Sequence, residues 1–241
     1  MESKITNIRD NGSDIQDNFK VIIDGEIDID KQTVYLDVDD VIINSSEVVV
    51  DILNQKYRLP HYLKPKTVQD VHSWDYKSIG RNFNLDDIND IFCSDEFWSK
   101  IEFVPSFLNL LSKLSIESEN SLFNRYNWIL VTKGDTMNLI KKHSFIFNHP
   151  SVVPVRDKIG MYGLGLNSNK DSIRMLGGIQ IDDNYDNLIH TDARLKILVT
   201  NGLETDYNAH YRIKDNLKNL YVVNSFEEAL DILTFNLEVK L

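Results

Sequence analysis

The chain has 241 residues, a formal net charge of −11, 42% hydrophobic and 26% charged residues: ordinary globular usage, with length for one domain carrying an insertion around a full core. The acidic balance excludes a sequence-blind nucleic-acid binder, which needs basic surface to release counterions, but it leaves room for a small anionic substrate, because a bound cation reverses the local field. One cysteine, Cys93, excludes a disulfide scaffold or a cysteine-built zinc site, and the absence of a long apolar run or an apolar leader in MESKITNIRDNGSD predicts a soluble, cytoplasmic protein with no membrane contact.

The first segment, residues 1–32, reads as a partly disordered extension, with a turn at Asp10 to Asp14 and a hairpin folded around Asp24-Gly25. Thr33-Val-Tyr-Leu-Asp-Val-Asp-Asp-Val-Ile-Ile opens as a continuous apolar run, the mark of a strand buried on both faces. Asn44-Ser45-Ser46 then caps a helix over Glu47 to Tyr57, and Pro60 and Pro65 break the chain into loop. From His61 to Phe103 aromatic residues accumulate without strand alternation; Asp86 to Phe92 and Asp95 to Ile101 read as short helices. Cys93, beside Ile91 and Phe92, reads as a small buried hydrophobe rather than a nucleophile. Pro105 opens an amphipathic helix.

Trp128-Ile-Leu-Val-Thr is a second buried strand, followed by a helix from Thr136 to Phe145. Next come a predicted short strand at Val152 to Val155, a loop containing Gly163-Leu-Gly165 as a turn or flap, and a helix from Lys170 to Leu176. Gly178-Ile-Gln-Ile-Asp-Asp is a third strand, Tyr185 to His190 a helical turn, Lys196 to Thr200 and Leu220 to Val223 further strands, and Phe226 to Phe235 a closing helix. Strands alternating with helices give an α/β fold with a three-layer, Rossmann-like parallel sheet. The expected division is a core of residues 33–45 and 104–241, with residues 46–103 as a helical cap.

Ligands of open parallel sheets sit beyond the carboxyl ends of the strands. Three buried strands end in polar residues: Asp37-Val38-Asp39-Asp40, Thr132, and Asp182-Asp183. Neighbouring strands would bring these acids together, and such a cluster repels itself unless a cation sits in it; hard oxygen ligands select Mg²⁺. One carboxylate can then attack phosphorus while a second protonates the leaving oxygen and later activates water.

The ordered set Val34-Tyr-Leu-Asp37-Val-Asp39-Asp40-Val-Ile, Ile129-Leu-Val-Thr132, Lys170 and Ile179-Gln-Ile-Asp182-Asp183 resembles the haloacid dehalogenase superfamily of phosphohydrolases over about Thr33 to Leu233. The resemblance implies Asp37 as the nucleophile that becomes phosphoaspartate and Asp39 as the general acid/base. It implies Thr132 and Lys170 as phosphate-binding residues, with Lys158 the alternative lysine. It also implies a Mg²⁺ site built from Asp37, Asp39, Asp182, Asp183 and the carbonyl of Val38.

Within the superfamily the chain resembles the 5′(3′)-deoxyribonucleotidase group, through the helical insertion, Phe97-Trp98 ahead of Pro105, Asn169-Lys170, and Asp182-Asp183-Asn184 followed by Asn187-Leu188. Asp40 departs from the pattern, standing where glycine is common. The implied substrate is a small phosphomonoester, a nucleoside monophosphate, with Lys133, Trp74, Phe97 and Trp98 as substrate-binding candidates. Two alternatives stay open: a phosphatase for another small phosphomonoester or a nucleic-acid 3′-phosphate, and an inactive domain used as a binding or structural module. No stable nucleic-acid complex is expected, and a homodimer is left open.

Overall fold

The structure, a computed structural model, describes residues 20–22, 28, 30–56, 64–80, 83–116, 122–203, 205, 208 and 219–238. The turn expected at residues 10–14, the Asp24-Gly25 turn and Pro60 lie outside them. Seven strands form one sheet: β1 (Lys20–Ile22), β2 (Gln32–Leu36), β3 (Tyr126–Lys133), β4 (Ile159–Leu164), β5 (Ile179–Asp182), β6 (Leu195–Val199) and β7 (Leu220–Val223), in the order β1-β4-β3-β2-β5-β6-β7. All neighbours run parallel except β1, which lies antiparallel on β4 with Lys20 opposite Gly163. Lys20–Ile22, a described part of the segment expected to form a hairpin, is an outer strand of the main sheet.

Side chains alternate between two separately packed faces, as a parallel sheet covered on both sides requires. Trp128 and Leu130 of β3, Ile179 and Ile181 of β5 and Ile197 of β6 join one core. That core also takes Phe107, Leu110, Leu111 and Leu114 of α4 (Pro105–Ser115) and Phe226, Leu230 and Leu233 of the closing helix Phe226–Glu238. Ile129 and Val131 face the other way, against Ile173 and Met175. Leu198 meets Tyr185 and Leu188 of a short helix, Tyr185–Ile189.

Two elements between β3 and β5 differ from expectation. Val153–Lys158 is a 3-10 turn with Pro154 in its first turn, and the strand follows it as β4. The β-branched valines around a proline imitate a strand, while the glycines of Ile-Gly-Met-Tyr-Gly-Leu hide a real one. A side chain at Gly163 would crowd Leu139, whose Cδ1 lies 3.3 Å from the position a Cβ would take; glycine here marks close approach of a helix to the sheet. The helix expected over Lys170 to Leu176 is a single 3-10 turn, Lys170–Ser172. It is too short to be amphipathic; Ile173 and Met175 then bury themselves from extended chain.

Between β2 and α4 lie α1 (Ser45–Lys56), α2 (Leu85–Cys93) and α3 (Asp95–Lys100). Asn84 starts α2 with a reciprocal cap: its side chain accepts the Asp86 and Asp87 amides while Asp87 accepts the Asn84 amide. Ser94 caps α3 by accepting the Phe97 amide. The α2–α3 pair is tied to α5 (Thr136–Asn148) by polar contacts at one end. Lys141 Nζ donates to the Cys93 carbonyl at 2.7 Å and to Asp95 at 2.6 Å, and Cys93 Sγ donates to Asp135 at 2.9 Å. Aromatic rings close the rest. Phe97 is fully buried edge-on to Phe92 and Trp98, and Trp98 packs on Phe145.

Two outcomes follow. Phe97→Ala removes a fully buried ring from this junction and costs about 3–5 kcal/mol of stability, read from urea unfolding. Burial and the adjoining Asp135 carboxylate push the Cys93 thiol up to about 12, so Ellman's reagent at pH 8 labels it far more slowly in the native protein than in urea; equal rates would contradict the Cys93–Asp135 contact.

Candidate active site

The chain moves from β2 outward to β3 and β4, then returns past β2 to β5 and outward again. The strand order thus reverses beside β2, and the carboxyl ends of β2, β3 and β5 diverge there into a crevice, the place where open α/β sheets bind ligands. Asp37 follows β2 directly, its amide donating to the Ile181 carbonyl of β5 at 2.9 Å. Its Oδ1 accepts the Val38 amide at 2.8 Å and Lys170 Nζ at 2.7 Å. The same ammonium reaches Asp182 Oδ2 at 2.8 Å. Asp182 is held on every side: Oδ1 accepts the Asn184 amide and Asn187 Nδ2, each at 3.0 Å, and Oδ2 accepts Gln180 Nε2 at 3.2 Å.

Asp183 completes the group. One carboxylate oxygen from each of Asp37, Asp182 and Asp183 falls within 4.8 Å of the others. Three carboxylates thus face one ammonium, and the surplus is visible at Asp37 and Asp183. Burial, reinforced by Asp182 and Asp39 against the pull of Lys170, raises Asp37 to about 7. Burial and the charges of Asp37, Asp182 and Asp40 raise Asp183 well above the usual carboxylate range. Burial works against the charge of Lys170, but the Asp182 and Asp37 carboxylates outweigh it and raise its pKa. An all-oxygen donor set with an uncompensated negative charge fits a hard divalent cation.

Not every expected residue joins this group. The Asp39 carboxylate lies outside it: one oxygen accepts Ser45 Oγ at 2.7 Å and the other accepts Lys142 Nζ at 2.5 Å, so it is not one of the clustered ligands. The Val38 carbonyl is turned into the loop, where it accepts the amides of Ile42 and Ile43 at 3.0 and 3.2 Å; with both lone pairs engaged it is not a metal ligand. Thr132 sits fully buried within the end of β3, its Oγ1 accepting Lys142 Nζ at 2.7 Å. Lys133 is exposed, its pKa lowered by desolvation and by the nearby charge of Lys170. The alternative lysine, Lys158, is spent elsewhere, donating to the Leu114 carbonyl at 2.6 Å.

Of the three aromatic candidates, Trp74 is 60% exposed. Phe97 is core, and Trp98 is fixed by its ring neighbours and by an indole N–H donated to the Phe92 carbonyl at 2.8 Å. Phe97 is corrected from a substrate-binding to a packing residue, because an aromatic-rich helical insertion must first bury rings to hold itself together, while Trp98 is half-buried against the same cluster.

Sequence reasoning missed Lys142, which reads as one of a solvated Lys-Lys pair. Its cue is spacing: Asn138, Lys142 and Ile146 recur every fourth residue on the buried side of α5. It also missed what makes Asp40 workable. Asp40 has φ +55°, a left-handed conformation that glycine adopts freely and aspartate tolerates. Its carboxylate is fixed by the Ser46 amide at 2.7 Å and by Ser46 Oγ, which also contacts Tyr76 Oη at 2.9 Å, and its carbonyl accepts Asn201 Nδ2.

An acid ending the first central strand, a buried lysine bridging it to an acid ending the next, and a hydroxyl at the third strand end define a phosphohydrolase of the haloacid dehalogenase type. The chain belongs to the family described as 5′ nucleotidase, deoxy (pyrimidine), cytosolic type C protein, which matches residues 31–233. It is a phosphatase of the nucleotidase class. No curated protein sequence matches the chain.

The chain is also similar to solved structures. A HAD-family hydrolase from Deinococcus radiodurans, with bound phosphate and sodium, superposes with a TM-score of 0.50 at 12% identity, covering 86% of this chain and 98% of that one. A haloacid dehalogenase-like hydrolase from Streptococcus pneumoniae gives a TM-score of 0.46 at 14% identity over 84% and 98%. CbbY from Rhodobacter sphaeroides, in complex with phosphate, gives 0.47 at 11% over 82% and 96%.

The charge surplus makes a prediction about stability. A divalent cation that binds the three acids, at a hundred times its dissociation constant, adds about 2.7 kcal/mol and raises the melting temperature. Asp183→Asn relieves repulsion, so it raises the metal-free melting temperature and shrinks the increment from the cation; a thermal melt indifferent to both changes would show that the three acids bind no cation.

Proposed function

We propose that the protein is a Mg²⁺-dependent phosphomonoesterase that works through a phosphoaspartate on Asp37, with nucleoside monophosphates, deoxyribonucleotides foremost, as substrates. The observation that carries this reading is Lys170 Nζ lying 2.7 Å from Asp37 and 2.8 Å from Asp182 at the strand-order reversal. A buried ammonium between two carboxylates is placed to neutralise both the nucleophile and an incoming phosphoryl group.

Each residue then has a task. The two contacts on Asp37 fall on Oδ1, so Oδ2 is the oxygen assigned to attack phosphorus. As the Asp37–phosphorus bond forms, the bond to the leaving oxygen breaks with its electron pair, and that oxygen takes a proton from Asp39. Asp39, now a carboxylate, accepts a proton from water. The water oxygen attacks the phosphoaspartate, the Asp37–phosphorus bond breaks, and Asp37 and inorganic phosphate are released. Thr132 and Lys170 hold phosphoryl oxygens throughout. Mg²⁺ held by Asp37, Asp182 and Asp183 would supply charge neutralisation of the phosphoryl group.

The family description supports a nucleotide substrate. The exposed Trp74 ring offers a stacking face and the exposed Lys133 a positive charge for it. The burial of Phe97 and the fixing of half-buried Trp98 by its indole hydrogen bond favour a second reading, another small phosphomonoester, because Trp74 is then the candidate ring left most open to a base. The family's cytosolic designation supports a cytoplasmic location.

A phosphomonoester panel with purified protein and Mg²⁺ tests the proposal. Deoxyribonucleoside monophosphates are expected to turn over fastest; a preference for sugar phosphates would favour the second reading. Asp37→Asn keeps the fold and loses on the order of 10⁴-fold or more in kcat, and wild-type turnover by that variant would refute the mechanism.

A further inference from the structure

One buried charge in contact with the proposed catalytic residues has no part in that mechanism. Lys142 of α5 is 0% exposed, and its ammonium is shared between Asp39 Oδ2 and Thr132 Oγ1, the latter at 2.7 Å. An ammonium is costly to bury, and the same space on a helix facing a sheet is filled more cheaply by methionine or leucine. Its partner Asp39 keeps 29% of its side chain exposed. The lysine thus lies beneath, and the acid opens toward the crevice.

We propose that Lys142 is a positioning residue for both halves of the phosphoryl-transfer step, orienting the acid Asp39 and the hydroxyl Thr132 from below. This rests on the phosphatase reading and on Asp39 as the proton donor. With Oδ2 fixed by Lys142, Oδ1, which accepts Ser45 Oγ at 2.7 Å and has a second lone pair to carry the proton, is the oxygen assigned to deliver it to the leaving oxygen. The ammonium then stabilises the carboxylate left behind. At Thr132 the effect is directional. A hydroxyl that accepts from an ammonium has its own O–H turned elsewhere, free to donate to a phosphoryl oxygen. One charge therefore sets two hydrogen-bond directions, which a purely structural tie between α5 and the sheet would not require.

The test uses leaving groups. A nucleoside 5′-oxygen leaves well only if protonated, whereas p-nitrophenyl phosphate leaves as a stable phenolate without a proton donor. The measurements are kcat and KM for a deoxyribonucleoside monophosphate and for p-nitrophenyl phosphate, in wild type, Asp39→Asn and Lys142→Met. We expect Lys142→Met to lose kcat on the order of 10²-fold more for the nucleotide than for p-nitrophenyl phosphate, in parallel with Asp39→Asn and with little change in KM. A proportional loss on both substrates in Lys142→Met, beside a selective loss in Asp39→Asn, overturns the role of Lys142. A proportional loss in Asp39→Asn overturns its assignment as proton donor, and with it this proposal; no turnover of either substrate by wild type overturns the phosphatase reading beneath both. Should Lys142→Met fail to fold by circular dichroism, Lys142→Gln, which keeps reach and a donor but no charge, carries the same comparison.

Discussion

Negative charge crowded at the end of two neighbouring strands is the constraint around which the rest of the molecule is arranged. Asp37 and Asp182 are brought side by side by the parallel pairing of β2 with β5, where Leu36 is opposite Ile181. A buried carboxylate pair of that kind keeps one member protonated unless something positive intervenes. Lys170 intervenes, from a single 3-10 turn that has no regular helix to hold it. What fixes that turn is apolar: Ile173 and Met175 just after it are buried against Ile129 and Val131 of β3. The lysine is aimed by the packing of its neighbours more than by its own element.

The loop after β2 meets a second constraint. It must turn sharply enough to present Asp37 and Asp39 in different directions. Asp40, at φ +55°, supplies the turn. An aspartate tolerates this conformation less well than glycine, so the loop needs support from outside, and it comes from Ser46 at the start of α1 and from the Asn201 side chain. Ser46 also contacts Tyr76, in the segment between α1 and α2. The helical insertion and the active-site loop therefore share a hydrogen-bond network, so a movement of the insertion would be felt at Asp39 and Asp40.

Much of this was legible in the sequence, for identifiable reasons. The buried strands are continuous apolar runs, and the acids at their ends interrupt those runs abruptly, so Asp37 and Asp182 stand out without a structure. Thr132 and Lys170 needed the resemblance to be assigned, because a strand-end hydroxyl and a loop lysine have ordinary alternatives. β4 was hidden because its glycines answer to a helix packed above it, a tertiary requirement absent from local pattern. The Val38 carbonyl was misassigned because which carbonyl faces a crevice depends on backbone dihedrals that side-chain order does not encode. Phe97 reads as ligand-facing from sequence, but the α3–α5 junction needs it as core.

Lys142 and Lys170, the two buried lysines that contact the site's acids, show how one residue type divides its work by where it enters the site. Lys170 arrives from the 3-10 turn between β4 and β5 and contacts Asp37 and Asp182, so its charge is set against other fixed charges. Lys142 arrives from α5 and contacts one acid and one neutral hydroxyl, so its effect is mainly one of direction. The first arrangement is sensitive to the number of charges present; the second is sensitive to geometry, since a hydroxyl can be turned by any donor but only a donor at that depth turns it toward the crevice. Asp39 is separated from the three-acid group by this pairing, and the separation has a chemical consequence. An acid committed to a metal could not also pass a proton, whereas an acid held by a lysine and a serine can.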